Sequence, residues 1–316
     1  MQCAILDDYQ NVALKLADWS AISKAVDIKV FDRWIPPAEV PGALKGFEIV
    51  CAMRERTRFP KQVLEALPDL RLLISTGMRN AAIDVKAANE RGIVVCGTGG
   101  SGNPTAGISI GLMLELTRHI GYENARLKAG APWQTTIGID LDGKTLGVVG
   151  LGKLGTRVAN IAKAFGMNVI AWSQNLTPEK CAEAGVTYAS KEDLFRTADI
   201  VSIHLMLSDR SRGLIGAKDL ALMKPTAYLI NTARAAIVDQ AALLTILTER
   251  RIAGAGLDVF ETEPLPLDSP LRTLDSVVIT PHLGYVSVQA YEIYFREIVE
   301  DIRAFLDGKP VRVMPA

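Results

Sequence analysis

The sequence predicts an α/β protein built from two doubly wound parallel sheets, and three observations carry that expectation. Short β-branched runs alternate with longer helix-like stretches almost from end to end, the signature of βαβ units. The runs fall into two series separated by a glycine-rich stretch at 97–102. The chain has 316 residues, and at roughly 150 residues per domain that length suggests two domains.

The first series places strands at 3–6, 27–31, 48–52, 70–75 and 93–96, with helical segments such as 12–25 and 60–66 between them. After the glycine-rich stretch, Asn103-Pro104 reads as a helix cap followed by a proline in the first turn. The helix it opens is expected to run to about Lys128 and to carry the chain from one domain to the other. Gly107 and Gly111 lie four apart on it, and each costs roughly 1 kcal/mol against alanine, so close helix packing is expected there. The second series has strands at 145–149, 168–172, 200–204, 227–231, 256–259 and 277–280. Residues 286–306 are again helical and are expected to return to the first domain.

Composition excludes several classes of function. Lys and Arg total 35 and so do Asp and Glu, giving zero formal charge, whereas a nucleic-acid or anionic-membrane partner calls for a basic excess on one face. Hydrophobic residues make up 49% of the chain and charged ones 22%, enough to bury a large core. The longest nearly uncharged apolar run, 106–114, falls well short of the roughly 20 residues that cross a bilayer. Asp7 and Asp8 follow only a few apolar residues, so no secretory leader is read and a cytoplasmic protein is expected. Cys3, Cys51, Cys96 and Cys181 lie far apart without metal spacing and are expected to be buried, reduced thiols.

The strand at 145–149 runs directly into Gly150-Leu151-Gly152-Lys153-Leu154-Gly155 and then into an amphipathic helix at 156–165. Strand before and helix after is the context that a dinucleotide motif requires, the alternative being a merely structural glycine turn. Gly150 makes the tight turn, Gly152 lets the backbone approach a pyrophosphate, and Gly155 lets helix pack on strand. The next strand should end in a carboxylate that binds the ribose 2′-hydroxyl. Here it ends Ser173-Gln174-Asn175, with no carboxylate.

Three histidines are available for acid/base work near neutral pH. His119 lies in the connecting helix and His204 closes a buried-looking strand, so both read as structural. His282 follows Pro281 at the carboxyl end of a strand, the edge where open α/β sheets hold their ligands. Two other strand ends in the same half carry charge, at 231–234 and 258–264.

At these residues the chain resembles the D-isomer-specific 2-hydroxyacid dehydrogenases. The similarity runs through Ser75-Thr76-Gly77, Gly150 to Gly155, Asn231 to Arg234, Asp258 to Pro264 and Pro281-His282-Leu283-Gly284. Spacings of 29 residues from Arg234 to Glu263 and 19 from Glu263 to His282 fit the family. The resemblance implies a Rossmann cofactor domain at 101–284 and a discontinuous, flavodoxin-like substrate domain at 1–100 and 285–316. It implies an NAD(P)-dependent hydride transfer to a small 2-keto acid, or from a D-2-hydroxy acid. Arg234 would bind the substrate carboxylate, His282 would exchange a proton with the substrate oxygen, and Glu263 would hydrogen-bond the imidazole. The chemistry is sensible: a planar guanidinium suits a carboxylate, and a carboxylate favours the protonated form of a neighbouring imidazole.

Carried further, the resemblance places Lys153 and Leu154 under the pyrophosphate. Leu205, Thr232, Asp258 and Thr76 would line the nicotinamide and adenosine positions, with Ala233, Gly284, Ser173 and Gln174 as further cofactor contacts. The amides near Gly77 and Met78 would meet the substrate carboxylate. No metal is implied, and a homodimer formed through the cofactor domains is. Ser173 stands where the family usually has aspartate, so NADP is expected to be slightly favoured over NAD, with Lys180 the cation that reaches the site if its helix folds back. Gly107 replaces a glutamate common in the family. A rival reading is a dinucleotide-sensing binding protein of the corepressor type, disfavoured by the lack of a long disordered tail.

Overall fold

The structure, a computed structural model, describes residues 1–101 and 104–315, so the cap expected at Asn103 lies outside the described residues. It divides into two compact units, Met1–Gly102 with Val286–Ala316, and Asn103–Tyr285.

The first unit holds five parallel strands, β1 (Gln2–Ile5), β2 (Asp27–Val30), β3 (Ile49–Ala52), β4 (Leu72–Ser75) and β5 (Val94–Gly97). Their order, β2-β1-β3-β4-β5, is the doubly wound flavodoxin-like order. β3 and β4 are buried along their whole length, which is why they read as unbroken apolar runs. Helices α1 (Val40–Ala43), α2 (Lys61–Glu65) and α3 (Val85–Glu90) are short. The helix expected at 12–25 is replaced by two single 3-10 turns, Ala13–Lys15 and Trp19–Ala21. The Asp8 carboxylate accepts from the Val12 and Ala13 amides, and Asp18 accepts from Ser20. Such local side-chain bonds compete with a continuous helix.

In the second unit come α4 (Pro104–Arg118) and α5 (Ile120–Lys128), then β6 (Thr145–Val149), α6 (Lys153–Ala164), β7 (Asn168–Trp172), α7 (Pro178–Glu183) and β8 (Thr187–Tyr188). The chain continues through α8 (Lys191–Thr197), β9 (Ile200–Ile203), α9 (Ala217–Leu220), β10 (Tyr228–Asn231), α10 (Gln240–Thr248), β11 (Gly254–Leu257) and β12 (Val277–Ile279). All seven strands are parallel, in the order β12-β11-β10-β9-β6-β7-β8. This is the Rossmann order, with the reversal between β6 and β9. Edge strand β8, two exposed residues long, is too short to leave a sequence pattern.

The connecting helix expected to reach Lys128 unbroken is two helices. It breaks at His119, which takes a left-handed φ of 55°, and the Glu115 carboxylate accepts from the Gly121 and Tyr122 amides to start the second helix. The expected close packing is present but is carried elsewhere. Nothing lies within 4 Å of where a Cβ on Gly107 or Gly111 would stand, whereas one on Gly256 of β11 would meet Leu112 Cβ at 2.9 Å. A strand glycine, rather than the helix glycines, lets α4 lie on the sheet.

The last helix, α11 (Val288–Leu306), belongs to the first unit and is capped by Ser287, which accepts from the Ala290 amide at 3.3 Å. All four cysteines are free and buried. Among the described residues no helix is long and apolar enough to cross a membrane, and no His, Cys, Asp or Glu cluster could hold a metal.

Candidate active site

β6 delivers the chain to Gly150 at φ 101°, a left-handed turn that glycine tolerates. A Cβ on Gly155 would collide with the Gly150 carbonyl, so only glycine lets α6 start this close behind the strand. Around the Cβ position of Gly152 there is open space, with nothing within 4 Å. Gly152 caps α6 without a side-chain bond, and the first turn holds no acidic residue. Lys153 and Leu154 thus open a helix whose first amides and positive dipole end suit a pyrophosphate. The residues fit a dinucleotide. Leu205, after β9, lies over the turn, its Cδ2 2.8 Å from a Cβ position on Gly150.

At the opposite side of the reversal, the loops after β11 and β12 hold a carboxylate–imidazole pair. Glu263 Oε2 and His282 Nδ1 are 2.7 Å apart, and Glu263 Oε1 accepts from the Phe260 amide at 2.8 Å. With Nδ1 committed to the carboxylate, Nε2 is the ring nitrogen left for proton exchange with a substrate oxygen. Burial pushes the Glu263 carboxyl up, but the His282 bond and charge, the Phe260 amide and the Arg234 charge outweigh it and hold it below the usual range. The Tyr285 ring packs edge-on against the imidazole at 5.5 Å.

Asp258, expected along the cofactor, is fully buried and binds the turn that carries the histidine. Its Oδ1 accepts from the Thr280 hydroxyl at 2.6 Å and the Leu283 amide at 2.7 Å, and its Oδ2 from the Gly284 amide at 2.8 Å. Burial raises its carboxyl and these bonds oppose the rise. The Gly284 carbonyl in turn accepts from Thr105 at 2.7 Å. After β10, Asn231 closes a turn by accepting from the Ala233 amide and donating to the Arg234 carbonyl. The Arg234 guanidinium donates to the Ala233 carbonyl at 2.7 Å. The Thr232 hydroxyl is buried and 2.8 Å from that of Ser109. His204 follows β9 with its backbone beside the Gly150 turn; burial pushes its imidazole down to about 4, and its Nε2 pairs with Ser202 at 2.9 Å.

In the first unit, the loop after β4 is tied inward. The Thr76 hydroxyl, expected at the cofactor, is buried, accepts from the Arg54 amide at 2.9 Å and donates to Met53 Sδ at 3.4 Å. The Gly77 amide, expected to meet the substrate, donates to Thr98 Oγ1 at 2.9 Å. Its φ of 94° turns the chain so that Met78 is exposed.

One residue of interest escaped the sequence reading. Arg210, on the loop after β9, accepts at its carbonyl from Gln174 Nε2 at 3.1 Å and donates from its guanidinium to Asn175 Oδ1 at 3.2 Å. The 35 residues between Asn175 and Arg210 leave no local pattern that could reveal the pairing.

A doubly wound dinucleotide fold with a carboxylate-bound histidine at a strand end defines a class of nicotinamide-dependent oxidoreductases. Residues 110–284 match the family model described as D-isomer specific 2-hydroxyacid dehydrogenase, NAD binding domain. The chain is 38% identical to the glyoxylate reductase of Aeropyrum pernix over 298 residues, covering 91% of this chain and 89% of that one. It is 38% identical to the D-3-phosphoglycerate dehydrogenase of Methanocaldococcus jannaschii over 264 residues, 82% of this chain but only 50% of that one. Among solved structures, the phosphoglycerate oxidoreductase from Vibrio cholerae superposes with a TM-score of 0.92 at 36% identity, covering 98% of this chain and 99% of that one. The chain belongs to the D-isomer specific 2-hydroxyacid dehydrogenase family. It is an oxidoreductase acting on a CH–OH group, moving hydride between a nicotinamide dinucleotide and a small 2-keto or 2-hydroxy acid.

Proposed function

We propose that the chain works as a cytoplasmic 2-keto acid reductase in which His282 is the proton donor, Glu263 orients and stabilises it, and Arg234 anchors the substrate carboxylate. The observation that carries this reading is the 2.7 Å pair between Glu263 and His282. Bound dinucleotide supplies the hydride delivered to the carbonyl carbon. His282 gives the proton at Nε2 to the carbonyl oxygen, while Nδ1 stays on Glu263. Arg234 fixes the substrate by its carboxylate, the planar guanidinium favouring a bidentate contact. Gly150, Gly152, Lys153, Leu154 and Gly155 receive the pyrophosphate, with Leu205, Thr232, Ala233 and Gly284 as neighbouring contacts. Asp258 serves as a positioning residue for the His282 turn. In unit terms, 101–284 is the cofactor domain, and 1–100 with 285–316 the substrate domain.

Ser173 in the place of a carboxylate removes the repulsion that a 2′-phosphate would meet, which supports NADPH use at least comparable to NADH. The exposed apolar side chains at 120–139 support a homodimer. The test is a panel of small 2-keto acids assayed with NADPH and NADH on the wild type and on His282→Ala. The reading expects turnover of at least one short 2-keto acid and a loss of about a thousandfold or more in the variant. Full activity in His282→Ala overturns the assignment.

A further inference from the structure

We infer that Arg210, on the loop after β9, is the residue that recognises a phosphate on the adenosine 2′-hydroxyl. The inference rests on the proposed use of NADP and names the side chain responsible for it. In the sheet, β9 and β7 flank β6 on either side. The loops that leave their carboxyl ends therefore bracket the Gly150 turn, and the two are clasped together. Gln174 donates to the Arg210 carbonyl, and the Arg210 guanidinium donates to Asn175, at 3.1 and 3.2 Å. The clasp holds a guanidinium against 173–175, the segment that lacks its carboxylate.

The loop behind Arg210 is internally fixed. Ser211 is buried, and its hydroxyl accepts from the Ser208 amide at 2.8 Å and donates to the Met206 carbonyl at 2.7 Å. Among the described residues Arg210 makes no ion pair, its one guanidinium partner being the neutral Asn175 oxygen. A phosphate dianion is a far stronger acceptor than an amide oxygen, so it displaces that contact and gains a charge-assisted bond. Ser173 and Gln174 add neutral donors on the same segment. Lys180, the cation expected from sequence, sits on α7 and makes no hydrogen bond or ion pair with 173–175 among the described residues. The cation thus comes from the far side of the glycine turn, not from the second strand's own loop.

The test is calorimetric binding of adenosine 2′,5′-bisphosphate and of 5′-AMP to the full chain, for wild type, Arg210→Gln and Lys180→Gln. Wild type is expected to bind the bisphosphate more tightly than 5′-AMP. Arg210→Gln should weaken the bisphosphate about tenfold, the worth of one charge-assisted hydrogen bond, while 5′-AMP moves by less than about twofold. Lys180→Gln should leave both where they were. If wild type prefers the bisphosphate and Arg210→Gln keeps that preference, or only Lys180→Gln loses it, the role of Arg210 is overturned while NADP use stands. If wild type shows no preference for the bisphosphate, the NADP reading itself falls and the role of Arg210 with it.

Discussion

His282 stands at φ 54°, in the left-handed region, where a residue with a side chain is held at a cost on the order of 1 kcal/mol. The cost is offset locally: the His282 amide donates to the Thr280 carbonyl, and Asp258 gathers the next two amides. What the strained turn achieves is an imidazole whose Nδ1 meets Glu263. Because Glu263 is held below the usual carboxyl range, it is a carboxylate near neutral pH and accepts from Nδ1. Glu263→Gln should therefore lower kcat for keto-acid reduction by about tenfold or more while leaving the substrate KM within about threefold, because the amide no longer fixes the imidazole through Nδ1 as the carboxylate does. A variant whose kcat and KM both match the wild type would refute the pairing's role. At this scale the contact that the resemblance implied between Glu263 and His282 is present at 2.7 Å, the two residues standing after neighbouring strands. Thr76 and Gly77 could not be judged, because nothing in their neighbours' identities reveals that Arg54 and Thr98 already occupy their polar groups.

Strands were the easiest elements to read. Those at 145–149 and 168–172 match β6 and β7 in full, since buried parallel strands are short apolar runs bounded by turns. Helices were harder wherever a polar side chain intercepts the backbone, as Asp8 does at 12–13 and Glu115 does at 121–122. In α11 a buried charge sits on an otherwise apolar face. Asp301 is fully buried, its Oδ1 accepts from Arg312 Nε at 3.0 Å, and its Oδ2 has no hydrogen-bond partner among the described residues. Burial pushes its carboxyl up to about 7, the Arg312 charge opposing the rise and Glu297 and Glu300 adding to it. Between its ordinary value of 3.8 and about 7, the folded chain keeps a proton that the unfolded chain releases, so this residue makes stability fall as pH rises through that window. Asp301→Asn keeps the shape and removes the titration. Urea unfolding at pH 5 and pH 8 should show wild type losing on the order of 2 kcal/mol more than the variant across the step. Equal losses would mean that Asp301 is ionised in the folded chain throughout.

For the whole molecule, the question raised by the surface is association. Zero formal charge provides no long-range self-repulsion, and one stretch of the second unit presents large apolar side chains to solvent. Ile120, Tyr122 and Leu127 of α5 are exposed, as are Trp133, Ile137 and Ile139 beyond it, with Ile137 95% accessible. Leu127 and Trp133 line one groove together with Arg118, Glu123 and Gly138. The stretch is not loose, because the Glu123 carboxylate accepts from the Thr135 amide and from both the Thr135 and Thr136 hydroxyls at 2.7 to 3.0 Å. These bonds hold the Glu123 carboxyl below its ordinary value despite some burial. An ordered segment that keeps its apolar side chains in water is stabilised by a partner surface, and in the proposed homodimer a second copy would supply one with matched apolar residues about a twofold axis. The open faces of Gly107 and Gly111 on the preceding helix leave room for such an approach. Light scattering at micromolar concentration should therefore give about 68 kDa, twice the chain mass of 34.2 kDa. Ile137→Asp combined with Trp133→Ser should return the particle to the mass of one chain, since each buries a polar group at the contact. A wild type that already scatters as one chain removes the dimer, and a double variant that stays at twice the mass moves the interface away from 120–139.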